Sequence, residues 1–310
     1  MRAALRARLR GWPRASAEGR AETARSPRFG LALAAFGALV LTPDTLFMRW
    51  SGMAGAQMLA WRGLCMGVLL LALWALAGAP GRAGLLRPAG AAIALCHALN
   101  TALFALGVAI APVPVVLFAV ATAPVFAALF ARLAGEKTGR AIWLPMLAVL
   151  TGVGISVLGR PPEGAPVAPG APLAGALAGF GVAVAMAASF VIIRHARQVP
   201  IRPAIGLGSL LAGLAGLAFA GGPAGLMEGR VWAIAATGLV ILPVSFLSLT
   251  HASRHTAAAN VSLFLLLETV LGPVWVWAFA GEPLTPLMVL GGAIVVVTLA
   301  LHLRAERRRT

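Results

Sequence analysis

Long apolar runs, repeated from Phe29 to the last few residues, limit what this chain can become more than any other feature. One of them reads LFLLLETVLGPVWVWAFAGEPLTPLMVLGG, from Leu263 to Gly292, with a single carboxylate, Glu268, deep inside it. Runs of roughly 20 apolar residues match the hydrocarbon thickness of a bilayer. The chain is 60% apolar and 11% charged, with a mean hydropathy of +0.92. Soluble domains carry about 25% charged residues, so a chain this apolar could not cover its own surface in water.

The expected fold is therefore all-α: a polytopic membrane protein of about ten transmembrane helices. Their limits are expected near 29–49, 56–77, 88–110, 113–133, 140–158, 173–194, 203–221, 231–250, 257–280 and 284–303. Gly, Pro and Arg punctuate the gaps, as in AGAPGRAGLLRP and GRPPEGAPVAPGAP. Gaps this short make consecutive helices antiparallel neighbours. Residues 1–28 read as a basic disordered tail followed by a retained helix, with an organellar transit peptide as the other reading of this segment. Residues 304–310 form a second basic tail.

The net charge of +16 resembles that of a nucleic-acid binder, but its distribution does not. The arginines lie mostly in the two tails and in alternate loops, and Lys137 is the only lysine. Cytoplasmic loops of membrane proteins carry such an excess. Both termini are accordingly expected in the cytoplasm, with the lipid bilayer of the inner (plasma) membrane as partner and no nucleic acid. Cys65 and Cys96 lie in apolar spans and give neither a disulfide framework nor metal spacing. His251 and His255 are four apart but have no carboxylate near them. No metal and no cofactor is expected.

The two halves echo each other. APVFAALFARLAGEKTG (123–139) aligns with TVLGPVWVWAFAGEPLT (269–285), each an aromatic-containing apolar helix that ends in Gly-Glu. An odd number of helices per half inverts the second half in the membrane. Residues 29–158 and 173–303 are therefore read as two inverted five-helix repeats, with Glu136 at the inner face and Glu282 at the outer one. Inverted repeats are a recurrent basis for alternating access.

With these stretches, and with FMRW after the first helix and AWRGLCMG opening the second, the chain resembles the EamA-type permeases of the drug/metabolite transporter superfamily over about residues 30–303. The resemblance implies an inner-membrane transporter of small organic metabolites, working in efflux rather than uptake. One departure is Thr269, which follows Glu268 where many members have proline. Pro273 comes four residues later, so the helix break is expected to be displaced.

Polar residues inside the spans are the candidate substrate or coupling-ion residues, because a charge at the bilayer centre costs about 2.5–3.5 kcal/mol on insertion scales. At 1.5 Å per residue, Glu268 falls roughly 17 Å from the start of its helix, and His97 and Asn100 about 13 and 18 Å into theirs. His97 and Asn100 share a face, with Thr101 beside them. Trp275 and Phe279 lie on the Glu268 face. Phe118, Thr122 and Phe126 repeat the pattern in the matching helix, with Thr122 at the position equivalent to Glu268. Such faces suit a substrate with an apolar body and a polar head; helix packing or an interfacial aromatic belt explains Trp275 and Trp277 equally well. Asp44 and Arg62 come from antiparallel neighbours at similar depth, either as an ion pair or as two side chains reaching separately outward. Glu268 is read as the group that takes a proton or a substrate ammonium, with a purely structural carboxylate as the alternative. The expected partners are a small-molecule substrate and protons, and the expected state is a monomer or homodimer. The rival functions are an integral-membrane enzyme and a non-transporting membrane scaffold.

Overall fold

The computed structural model describes residues 27–111, 113–136 and 171–281, with short pieces between 144–155 and 286–301. Most of the expected helices at 140–158 and 284–303, Glu282, most of the midpoint loop and nearly all of both tails lie outside the described residues. Every described element is helical: α1 (Pro27–Leu41), α2 (Asp44–Ser51), α3 (Gly55–Leu76), α4 (Arg82–Leu85), α5 (Pro88–Ile110), α6 (Val113–Val120) and α7 (Ala123–Leu133) in the first half. In the second half are α8 (Ala171–His195), α9 (Ile201–Phe219), α10 (Gly222–Leu226), α11 (Val231–Ala236), a π-helical turn (Thr237–Ile241), α12 (Leu242–His255), α13 (Ala258–Phe264) and α14 (Leu266–Ala280). Among the described residues, eight helical stretches are long and apolar enough to cross a membrane. Their limits agree with the hydropathy reading to within a few residues.

Lipid in place of water explains the surface. Leu95, Val68, Leu177, Val240 and Trp277 are among many large apolar side chains that point outward, where a bilayer solvates them. Inside, small residues let backbones approach. One close seam joins α3 and α9. A Cβ on Gly63 would run into the Gly213 backbone nitrogen, and one on Gly67 would lie 2.6 Å from the Leu210 nitrogen. Further along, Gly216 meets Ala60 and Gly206 meets Leu70. The numbers rise on one helix as they fall on the other, so the two helices run antiparallel.

Three of the spans are interrupted mid-membrane. The first breaks at Thr42–Pro43, where Pro43 lacks an N–H for the helix ladder and stands as N-cap of α2. The fourth breaks at Ala121–Thr122, ahead of Pro124 near the start of α7. The third break falls at Leu265, shared between α13 and α14. Each is closed by a tight three-residue backbone bond: Thr42 to Leu39 (3.2 Å), Thr122 to Ala119 (3.2 Å) and Glu268 to Leu265 (3.0 Å). The expectation of a displaced break at Pro273 is corrected here. Pro273 continues inside α14; transmembrane helices tolerate an interior proline because neighbouring groups compensate the missing bond.

The two ends of the bundle differ in chemistry. At one end Arg194 Nε donates to Glu136 (2.8 Å), its Nη1 donates to the Thr256 carbonyl, and Arg254 Nη2 donates to the Val199 carbonyl (2.7 Å). At the other end Trp50 Nε1 donates to the Phe279 carbonyl (3.2 Å) and Trp61 Nε1 to the Leu226 carbonyl (2.8 Å). Phe47, Trp50 and Trp232 pack edge to face or tilted there. Both ends tie the first half of the chain to the second.

Candidate functional site: a charged cavity between the halves

The interrupted spans place two carboxylates at helix starts. Asp44 is the first residue of α2 and Glu268 lies in the first turn of α14. The positive end of a helix dipole favours negative charge there, which is a local reason for the chain to hold acids at these two points. The breaks thus do two things at once: they end one helix segment mid-membrane and make the start of the next a tolerable place for a carboxylate.

Arg62 comes from the middle of α3. Its Nη1 donates to both oxygens of Asp44, at 2.8 and 2.7 Å, and the side chains are 4% and 1% exposed. Of the two sequence readings for Asp44 and Arg62, the ion pair is the one present. The Phe104 ring lies 5.7 Å from the guanidinium carbon, in range for a cation–π contact. One guanidinium nitrogen, Nε, is buried without a hydrogen-bond partner among the described residues.

The pair opens onto a cavity lined by side chains from both halves of the chain. Its polar lining is Asp44, Arg62, His97, Asn100, Thr101 and Glu268. Each of these is at least nine-tenths buried. The apolar wall includes Phe104 from the first half and Val182, Met186, Leu242 and Phe246 from the second. His97 packs edge-on to Phe246, with ring centroids 4.9 Å apart, and its Nε2 is buried and has no hydrogen-bond partner among the described residues. Glu268 lies close enough to Asp44 and Arg62 to feel both charges, yet among the described residues its carboxylate has no hydrogen bond and no ion pair. Burying an unpaired polar group costs stability, and such orphans at a cavity wall are groups left free for something else to satisfy.

Five of the eight sequence-predicted site residues therefore meet: Asp44, Arg62, His97, Asn100 and Glu268. The other three do not line the cavity. Trp275 Nε1 donates to Thr42 Oγ1 (3.0 Å), bracing the break of the first span, and its ring tilts against Phe279. Phe118 packs with Ala121, Leu263 and Leu266 between the two other breaks. Thr122 Oγ1 donates to the Ala119 carbonyl of its own turn (2.7 Å). The shared helical face of Glu268 and Trp275 fails as a guide because α14 begins at Leu266: Glu268 sits at the broken start, while residues two turns on pack against α2. Sequence reasoning missed the apolar wall. Phe104 could have been found one turn beyond Asn100, on the same face; nothing in the sequence singles out Met186 or Phe246.

His251 Nδ1 bonds the Leu247 carbonyl of its own helix (2.7 Å), whereas His255 packs edge-on to Phe29 of α1. Ser245 and Ser248 donate to carbonyls of their own helix, the usual habit of membrane serines.

Comparison with known proteins follows the same lines. One crystal structure, described only as that of a protein, superposes with a TM-score of 0.70 at 20% identity, covering 92% of this chain and 98% of that chain. At that identity the likeness is one of fold. No curated protein matches the chain. Residues 173–304, from α8 onward, match the model of the EamA-like transporter family. The chain is an all-α polytopic membrane protein, and its second half matches the EamA-like transporter family.

Proposed function

We propose that the protein is a permease that moves small organic metabolites across the inner membrane by alternating access, with the central cavity as its substrate site. The observation that carries this reading is Glu268: a buried carboxylate without a hydrogen-bond partner among the described residues, facing a cavity built from both halves of the chain. A bound proton or a substrate ammonium would compensate it, which makes proton coupling part of the proposal. The two five-helix units are read as inverted repeats, so that rocking one against the other exposes the cavity to each side in turn. Efflux is the proposed direction, and both termini are proposed to be cytoplasmic, at the arginine-rich end.

An integral-membrane enzyme would need a nucleophile or metal set facing the cavity. The polar lining centres on the Asp44–Arg62 ion pair and the Glu268 carboxylate, a set suited to binding a charged ligand. The test is flux of radiolabelled metabolites into proteoliposomes holding purified protein, at several pH values, for the unmodified protein and Glu268→Gln. Loss of flux, or flux that no longer responds to pH, in normally inserted Glu268→Gln protein is the expected result. Unchanged flux and pH response would remove Glu268 from the mechanism.

A further inference from the structure

We infer that Asp44 sets the charge of the cargo. By occupying Arg62, it leaves Glu268 as the uncompensated charge of the cavity, so the site takes a monovalent organic cation with an apolar body. This inference rests on the reading of the cavity as the substrate site.

Three side chains determine the balance. Among the residues lining the cavity, Arg62 is the sole arginine or lysine, and Asp44 and Glu268 are the acids. Arg62 spends one nitrogen on both oxygens of Asp44, so that pair is internally neutral. The Nε edge of Arg62 stays buried and unused. Glu268 lies within electrostatic reach of Arg62, but the guanidinium does not bond it. His97 carries no charge above its ordinary titration range. A ligand with one positive group completes the site, and an apolar body fits against Met186, Leu242 and Phe246. An anion would have to displace Asp44 from Arg62 while facing the Glu268 carboxylate.

The same bookkeeping makes the specificity adjustable. Neutralising Asp44 frees Arg62 to serve as counter-ion for Glu268, and the cavity becomes neutral. Neutralising Asp44 and Glu268 together leaves Arg62 alone, and the cavity becomes an anion site. Neutralising Asp44 and Arg62 together leaves Glu268 alone and keeps the sign of the unmodified site.

Three probes of similar shape report this: benzylammonium, benzyl alcohol and benzoate. Their binding to the purified full chain in detergent micelles is followed by ligand-observed NMR at alkaline pH, where imidazole is uncharged. The unmodified protein is expected to prefer benzylammonium over benzoate by at least about tenfold, the effect of a like-charge clash. Asp44→Asn is expected to lose that preference, and Asp44→Asn with Glu268→Gln to reverse it. Asp44→Asn with Arg62→Gln is expected to keep the cation ahead of the anion, whatever its absolute affinity. Asp44→Asn protein that retains the full cation preference overturns the inference while leaving the cavity as substrate site. A monodisperse Asp44→Asn/Glu268→Gln protein that still rejects benzoate does the same. Should Asp44→Asn alone fail to fold, the Asp44→Asn/Arg62→Gln protein decides, and a lost or inverted preference there overturns the inference. If the unmodified protein binds the probes without a charge preference, this inference falls and the substrate-site reading stands; if it binds none of the probes, both fall.

Discussion

Breaking the Asp44–Arg62 pair should be more damaging from one side than from the other. Both side chains are almost fully buried, and one nitrogen of Arg62 holds both carboxylate oxygens at 2.7–2.8 Å. Removing one member of a buried pair costs about 3–5 kcal/mol, mostly through the charge left without compensation. Here the two single changes leave different remainders. Arg62→Gln leaves Asp44 and Glu268 as neighbouring carboxylates with no cation between them, and should fall at the upper end of that range. Asp44→Asn leaves Arg62 with an amide oxygen to hold and Glu268 as a second counter-ion, and should fall at or below the lower end. The double change removes both charges of the pair, so its loss should undershoot the sum of the single losses by at least about 2 kcal/mol, as coupled neighbours do. The assay is reversible unfolding of the purified protein by titration with SDS in mixed micelles, read by tryptophan fluorescence. Additive losses, or Asp44→Asn costing more than Arg62→Gln, would refute the argument that Glu268 shares the field of Arg62.

Other consequences can be checked separately. Gly63→Ala and Gly213→Ala each push a methyl into the facing backbone of the α3–α9 seam, and overpacking of this kind should cost about 1–3 kcal/mol in the same SDS titration. Single cysteines at the exposed positions Glu228 and Gln198, in protein lacking Cys65 and Cys96, should report opposite faces: an impermeant reagent added to intact cells should label Glu228→Cys directly and Gln198→Cys only after the membrane is opened, and the reverse pattern would invert the proposed orientation. The Glu136–Arg194 pair is partly exposed, so Glu136→Gln should cost no more than about 1 kcal/mol in stability; a larger loss would mean that this contact holds the two halves together at the arginine end.

How much of this could be read from the sequence depends on the kind of signal. Span limits were legible because hydropathy is a direct consequence of the solvent: each described helix had to satisfy its backbone internally and face lipid. Asp44, Arg62, His97, Asn100 and Glu268 were legible because a polar group is costly at that depth, and depth follows from helical rise. What escaped was anything that depends on where a helix is broken. Placing Trp275 beside Glu268 assumed one continuous helix with a common face, whereas the Leu265 break starts a new segment. Phe118 and Thr122, matched to Glu268 through sequence alignment of the halves, sit at the corresponding break, but there the threonine closes its own turn and the phenylalanine fills the space between broken helices. The apolar wall was invisible for a plainer reason: in a chain that is 60% apolar, no single apolar residue stands out.

The differences between the halves bear most directly on mechanism. The first span is broken at Pro43 and carries Asp44; its sequence counterpart in the second half, α8, runs unbroken from Ala171 to His195 and contributes Val182 and Met186 to the cavity instead. The other difference runs the opposite way, with Thr122 in the first half and Glu268 in the second at aligned breaks. A strictly symmetric arrangement would place like carboxylates together and leave Arg62 outnumbered, or remove charge from the cavity altogether. By putting one acid beside Arg62 in the first half and a single unpaired acid in the second, the chain keeps all but one of its central charges internally balanced. That one charge sits on a helix start at the boundary between the halves, where a relative movement of the two would alter what compensates it. Coupling between ligand and conformation requires a ligand to interact differently with two states, and an acid whose partner must come from outside the protein meets that requirement in a way that the closed Asp44–Arg62 pair does not.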